Sequence, residues 1–191
     1  MDCDTVVKLG GAILADVDRF DAVLAAIGAS REGGFLIVPG GGPFADAVRE
    51  VDRRIGLCDD AAHWMAVLAM DQYAHLIAAR LTGSMLVTDP REIRSALGDG
   101  RIPVLAPSRW LSAVDPLPHA WTVTSDSIAA WVAGAVGARR LVLVKPARAS
   151  GGDLVDAYFP RALPAHVAQI IVAADQVDAL RSALRSPIKD A

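Results

Sequence analysis

Three side chains and two glycine runs carry the chemistry this sequence supports. Lys8 stands at the end of the β-branched run Thr5-Val6-Val7, directly before Leu9-Gly10-Gly11, and Gly40-Gly41-Gly42 follows a second apolar run, Phe35-Leu36-Ile37-Val38. A strand that turns through glycines into a helix presents bare backbone N–H groups and the positive helix end to an anion. Two such loops side by side can surround a transferring phosphoryl group, with Lys8 adding a point charge. The plainer reading is that the glycines make tight turns and Lys8 is a solvated strand end. Asp126 opens an apolar helix, where the helix dipole favours an ionised carboxylate; Ser125 or Asp126 can equally serve as the helix cap. Lys145 ends another apolar run, Leu141-Val142-Leu143-Val144. Neither G-x-x-x-x-G-K-[ST] nor G-x-G-x-x-G occurs, which disfavours a P-loop or dinucleotide-binding enzyme.

The elements that must position these groups follow from periodicity. Strands are expected at Thr5–Leu9, Phe35–Val38, Met85–Thr88, Pro103–Ala106, Leu141–Val144 and Ile170–Val172. Helices are expected at Asp16–Ala29, from Phe44 to about Arg54, Asp59–Leu81, Pro90–Leu97, Asp126–Val136 and from Asp175 to about Leu184. Short continuous apolar strands alternating with helices imply a parallel-rich sheet buried on both faces, so the expected fold class is α/β, a three-layer sandwich with a mainly parallel central sheet. The Pro-rich stretch 103–118 and the Gly/Arg-rich stretch 148–153 read as surface loops, the second a mobile one. No repeat or long linker divides the 191 residues, which read as one domain.

Composition removes several function classes. With a formal net charge of −3, the chain has no basic field to hold a phosphodiester backbone, so nucleic acid is not an expected partner. Asp71, Asp126 and Arg139 interrupt the most apolar stretches before any reaches the ~18 residues of a membrane span. The acidic start lacks the bases and apolar run of a signal peptide, which suggests a cytoplasmic protein. Cys3 and Cys58 lack partners at metal or redox spacing and read as packing residues. Of the 19 basic residues only Lys8, Lys145 and Lys189 are lysines. Arg53-Arg54 and Arg139-Arg140 read as solvated helix ends, one of which can reach a phosphate.

Taken together, Val6-Val7-Lys8-Leu9-Gly10-Gly11, Ile37-Val38-Pro39-Gly40-Gly41-Gly42-Pro43-Phe44-Ala45 and Thr124-Ser125-Asp126-Ser127-Ile128-Ala129-Ala130 resemble the amino acid kinase family, and the resemblance extends to Lys145. Within that family, Asp60 to Tyr73 and Leu154-Val155-Asp156-Ala157-Tyr158-Phe159 look like the archaeal-type kinases of methanofuran biosynthesis, which phosphorylate an aminomethylfuran methyl phosphate. The resemblance implies an ATP- and Mg²⁺-dependent small-molecule kinase with a phosphate or carboxylate acceptor, forming a homo-oligomer. It implies an acceptor-binding half of about residues 1–120 and a shortened nucleotide-binding half of about 121–191.

By the same resemblance, Lys8 contacts the transferring phosphate, Gly10 and Gly11 form the loop beside it, and Gly40, Gly41 and Gly42 face the acceptor. Asp126 orients the lysines. Lys145 either supplies a second phosphate-binding lysine or is an unrelated strand-end charge. His63 binds the acceptor phosphate, or is a packed helical histidine. Trp64, Met65 and Met70 on the same helix read as core or subunit contact. No residue is assigned to metal, because Mg²⁺ usually bridges phosphate oxygens with few protein ligands. The family's usual nucleotide-binding stretch after Lys145 is replaced by Pro146-Ala147-Arg148-Ala149-Ser150-Gly151-Gly152-Asp153. A non-catalytic nucleotide- or anion-binding or regulatory member of the fold is the alternative.

Overall fold

A computed structural model describes residues 3–30, 34–146 and 154–185. Six strands, β1 (Thr5–Leu9), β2 (Phe35–Pro39), β3 (Ser84–Val87), β4 (Ile102–Leu105), β5 (Arg140–Lys145) and β6 (Ala168–Ala173), form one sheet in the order β3-β4-β2-β1-β5-β6. Every pairing is parallel. Parallel neighbours need long crossovers, which the helices supply. These are α1 (Val17–Gly28), α2 (Gly42–Ile55), α3 (Asp59–Arg80), α4 (Pro90–Gly98), α5 (Ser108–Val114), α6 (Ser125–Ala135), α7 (Phe159–Ala162) and α8 (Val177–Arg185). The expected three-layer α/β sandwich is the fold observed.

Strand parity divides the core. Val6, Leu36, Val38, Leu141 and Leu143 pack with α4, α5 and α6 on one face of the sheet. Val7, Phe35, Ile37, Val142 and Val144 pack with α1 and α8 on the other. The long α3 serves both, with Val67 and Met70 in the first cluster and Tyr73 and Ile77 in the second. Side chains alternate along a strand, so Lys8 shares the face of Val6, and Lys145 that of Leu141 and Leu143. Both lysines therefore point toward the layer that contains α6.

The chain leaves β1 toward β2 and later returns to its other side as β5, so the carboxyl ends of these three strands meet at a change of direction in the sheet. Open α/β sheets bind ligands at such crevices. The helix starts reveal two kinds of cap. Asp16 and Asp89 cap α1 and α4 locally, by accepting bonds from Arg19 N–H and from Arg91 and Glu92 N–H. By contrast, α5 begins at Pro107 with no side-chain cap of its own, and Asp71 on α3 accepts the Ser108 N–H at 3.0 Å and its hydroxyl.

Four readings of the sequence are corrected. After the expected strand β4, the 103–118 stretch forms helix α5 in place of the expected surface loop; α5 is too short to display periodicity, and its cap comes from elsewhere in the chain. Gly10-Gly11 leads into a 3-10 helix, Gly11–Ala15, before α1. Arg140 is not a solvated helix end: it opens β5, is 6% exposed, and donates to the Ala183 carbonyl at 2.6 Å. Cys58 is exposed at the start of α3, whereas Cys3 is buried as expected, its thiol pushed up to about 12 by burial. Arg53 and Arg54 are exposed and paired with Glu50. The stretch 148–153 lies outside the described residues. Among the described residues, no helix is long and apolar enough to cross a membrane.

Candidate active site

The parity of β1 and β5 brings two ammonium groups to one carboxylate. Lys8 Nζ lies 2.7 Å from Asp126 Oδ1, and Lys145 Nζ donates to Asp126 Oδ2 at 2.5 Å. The three residues are 4%, 9% and 5% exposed for Lys8, Lys145 and Asp126, so little water screens them. Burial alone raises the Asp126 carboxyl, but the Lys8 and Lys145 ammoniums outweigh it and hold it below the ordinary carboxylate range. Burial and the neighbouring Lys8 charge lower the Lys145 ammonium, against the pull of Asp126. Two cations on one anion leave one positive charge at the carboxyl edge of the sheet, where it attracts phosphate.

The two glycine loops are in van der Waals contact. A Cβ on Gly11 would strike the Gly42 backbone, and one on Gly40 would stand 2.6 Å from Gly11 N. Gly42 has φ +54°, a left-handed conformation that favours glycine. The five glycines differ in what they offer an anion. Gly10 N–H donates to Val144 O at 2.9 Å and Gly40 N–H to Leu9 O at 2.7 Å, so these two extend the sheet. Gly41 and Gly42 begin α2, and among the described residues no acceptor takes their N–H groups, which leaves them for a ligand.

The N-terminus of α6 is capped from a distance. Asp156 accepts Thr124 N–H at 2.9 Å, Thr124 Oγ1–H at 2.7 Å, Ser127 N–H at 3.0 Å and Phe159 N–H at 2.9 Å, and also accepts the Ser127 hydroxyl. Asp126 is thereby free of capping duty and turns inward to the lysines. Asp156 has no assigned role in the sequence reading, although it lies in one of the segments that carry the family resemblance. Asp156→Ala is expected to destabilise the protein by about 2–3 kcal/mol, because the fully buried Ser127 loses its partner. A chemical denaturation midpoint equal to wild type would contradict this.

A cleft of about 600 Å³, including its open mouth, is lined by Thr124 and Ser125, the two residues before Asp126. Gly41, His63, Arg49 and Trp121 line it as well. The expected His63 site thus joins the same cleft as the second glycine loop. Trp121 is pinned by its Nε1–H, which donates to Asp52 at 2.7 Å, and the Arg49 guanidinium lies 5.3 Å from its ring centroid. The His63 ring stacks on His119, with centroids 4.1 Å apart and planes 15° from parallel. Trp64 packs against the core, Met70 is buried, and Met65 is exposed.

A parallel α/β sandwich that carries paired lysines and bare helix starts at its carboxyl edge is suited to moving a phosphoryl group, where positioning and charge neutralisation do most of the work. The particular phosphotransferase family follows from sequence. The chain belongs to the amino acid kinase family, whose model matches residues 5–147. It is 26% identical over 139 residues to the [5-(aminomethyl)furan-3-yl]methyl phosphate kinase of Methanocaldococcus jannaschii, a match that covers 72% of this chain and 63% of that protein. The uridylate kinase of Archaeoglobus fulgidus superposes with a TM-score of 0.72 at 13% identity, covering 96% of each chain. The UMP kinase of Ureaplasma parvum gives 0.71 at 14% identity, covering 97% of this chain and 96% of that one. The family and the fold agree with the expectations from sequence.

Proposed function

We propose that this chain is a cytoplasmic, ATP- and Mg²⁺-dependent kinase that transfers the γ-phosphoryl group to a small phosphorylated acceptor, an aminomethylfuran methyl phosphate. The observation that carries the reading is the buried Lys8–Asp126–Lys145 group, whose Asp126 directly follows Thr124 and Ser125 in the wall of the cleft that Gly41 also lines. Gly11 and Gly42 touch backbone to backbone, so a side chain on Gly11 would force the two loops apart, and the excess positive charge of Lys8 and Lys145 over Asp126 suits a phosphate chain. Bound ATP would supply the phosphoryl group, and Mg²⁺ bound with it would neutralise part of its charge.

The protein's own groups do the rest. Lys8 and Lys145 stabilise charge on the oxygens in flight, and Asp126 holds both ammoniums in place without reorganisation during transfer. The N–H groups of Gly41 and Gly42 bind oxygens at the acceptor side, while Gly10, Gly11 and Gly40 keep the approach clear. Asp126 is a poor base, because two ammoniums already hold its oxygens. An acceptor whose nucleophilic oxygen is already ionised needs no base, which favours a phosphate or carboxylate over an alcohol. His63 donates to the acceptor phosphate in the cleft.

In this reading, residues up to about 120 serve the acceptor and the remainder serves the nucleotide, with cleft walls drawn from both sides of that division. The proposed homo-oligomer uses apolar pairs left exposed on helices in contact: Val51 and Ile55 on α2, Met65 and Leu68 on α3. The amine-bearing furan acceptor rests on the Methanocaldococcus relative, and the chain spans 63% of that relative's length.

The test is ADP release with ATP and Mg²⁺ against aminomethylfuran methyl phosphate, isopentenyl phosphate, uridine monophosphate, aspartate and N-acetylglutamate, with nucleotide binding measured alongside. Turnover confined to the furan phosphate is expected. Turnover on another acceptor replaces the substrate but keeps the chemistry; nucleotide binding without any turnover supports the non-catalytic alternative.

A further inference from the structure

The cleft carries a cluster that the phosphoryl-transfer reading leaves unused. His119, between α5 and α6, places Nδ1 2.6 Å from Asp60 Oδ1 and Nε2 2.8 Å from Asp115 Oδ1. Asp60 belongs to the first turn of α3, and Asp115 ends α5 in a left-handed conformation, φ 40°. The His119 ring stacks on His63, and the Trp64 edge abuts both rings, with centroids 5.3 Å and 5.0 Å away. Ala120 and Trp121, which follow directly, are cleft wall.

We propose that His119 is a positioning residue for the acceptor cleft: clamped between Asp60 and Asp115, it fixes the His63 ring and the Ala120–Trp121 wall. The proposal rests on the cleft being the acceptor site. The geometry dictates the protonation of the clamp. A neutral imidazole has one N–H and one lone pair, so a ring with a carboxylate oxygen at each nitrogen is satisfied only as the cation. The bonds that His119 donates to Asp60 and Asp115 accordingly raise its pKa above the ordinary value.

His63 experiences the opposite environment. Burial and the adjacent His119 charge lower its pKa, against the more distant pull of Asp115 and Asp60. Asp59 and Arg49 line the same cleft. The His119 charge thus adds to burial in disfavouring a second proton on His63. An uncharged His63 orients an acceptor phosphate through one N–H donor. An imidazolium there would pair with the nucleophilic oxygens and stabilise the ground state more than the transition state, in which those oxygens give up charge. Two histidines of one residue type are thereby divided into a structural cation and a neutral donor.

The test compares wild type, His119→Ala and Asp60→Asn, by acceptor and ATP kinetics across pH and by ¹⁵N imidazole spectra. Asp60 is well exposed, so Asp60→Asn weakens the clamp without touching the core. In wild type at neutral pH, His119 is expected to carry both ring protons and His63 one. His119→Ala is expected to raise the acceptor KM about tenfold, with kcat and the ATP KM within about twofold, as for a loosened binding wall. The His63 titration should move upward in that variant. In Asp60→Asn the KM rise should appear only above the lowered His119 midpoint. An unchanged acceptor KM in His119→Ala, or a neutral His119 in wild type at neutral pH, overturns the proposal. If wild type turns over none of the acceptors, the kinase reading fails; the spectra still decide this proposal, which an unmoved His63 titration in His119→Ala overturns.

Discussion

Lys8→Ala is expected to lower kcat by about 10²–10³-fold, the usual cost of removing one preorganised group that stabilises transition-state charge. Lys8 lies near the carboxyl end of β1: it is 4% exposed, on the α6 face of the sheet, one residue from the end of the strand and two from Gly10. Its charge acts in a site with little water to screen it. The fold should survive the change, because Asp126 retains Lys145 at 2.5 Å and loses only one of two cations. Nucleotide and acceptor KM should change less than kcat, since the interaction strengthens as charge moves between oxygens. Steady-state kinetics of the variant, with a thermal melt as control, checks this. Wild-type turnover in a folded Lys8→Ala protein would remove Lys8 from the reaction.

Asp126→Ala is expected to have the largest effect on stability, about 3–5 kcal/mol. It leaves two buried ammoniums facing each other with no carboxylate between them. For a domain of this size the melting temperature should fall on the order of 10 °C. Activity should fall as well, because both lysines lose their anchor. The pH dependence has a definite sign. The folded Asp126 carboxyl is depressed by its lysines, so its stabilisation is full above the unfolded value of about 3.9 and is lost as pH falls through the folded value.

Lys145 reports on the alkaline side. Its folded pKa is lowered by burial and by Lys8, so the folded protein carries a penalty below that pKa; stability rises as pH climbs from there to the unfolded value of about 10.4. Without Asp126 the folded value falls further, and Lys145 sheds its proton at lower pH. The stability deficit of Asp126→Ala relative to wild type should therefore shrink as pH rises from neutral. Melts at stepped pH measure it; a deficit that stays constant would show that charge repulsion is not its cause.

The local parts of this site are legible in the sequence because they are made of local backbone chemistry. A β-branched run closed by Gly10-Gly11, and a second closed by Gly40-Gly41-Gly42, specify strand, turn and helix start within a few residues. Asp16 and Asp89 announce their helices for the same reason, since each cap bonds to N–H groups two or three residues ahead. The apolar runs also indicate a sheet covered on both faces, because the inner strands β1, β2, β4 and β5 alternate between two buried clusters instead of between core and water, whereas edge strand β6 is largely exposed.

What the sequence by itself determined was therefore the inventory: the α/β class, the glycine loops, and a short set of charged residues suited to phosphate. Tertiary structure decided which of them meet. Lys8, Asp126 and Lys145 converge because β5 pairs with β1 in a register that sets Lys8 opposite Leu143, with α6 on the face both lysines share. It also withdrew Gly10 and Gly40 as donors, by pairing their N–H groups with Val144 and Leu9. It made Asp156 the cap of α6 and Asp71 that of α5, from 32 and 37 residues away. It joined His63 to His119 across a gap that no helical or strand period spans. The physical reason is common to all of these. Hydrophobic periodicity and turn chemistry act over one turn or one strand, whereas strand order and register emerge from packing the whole sheet, and only they fix distances between residues remote in the chain.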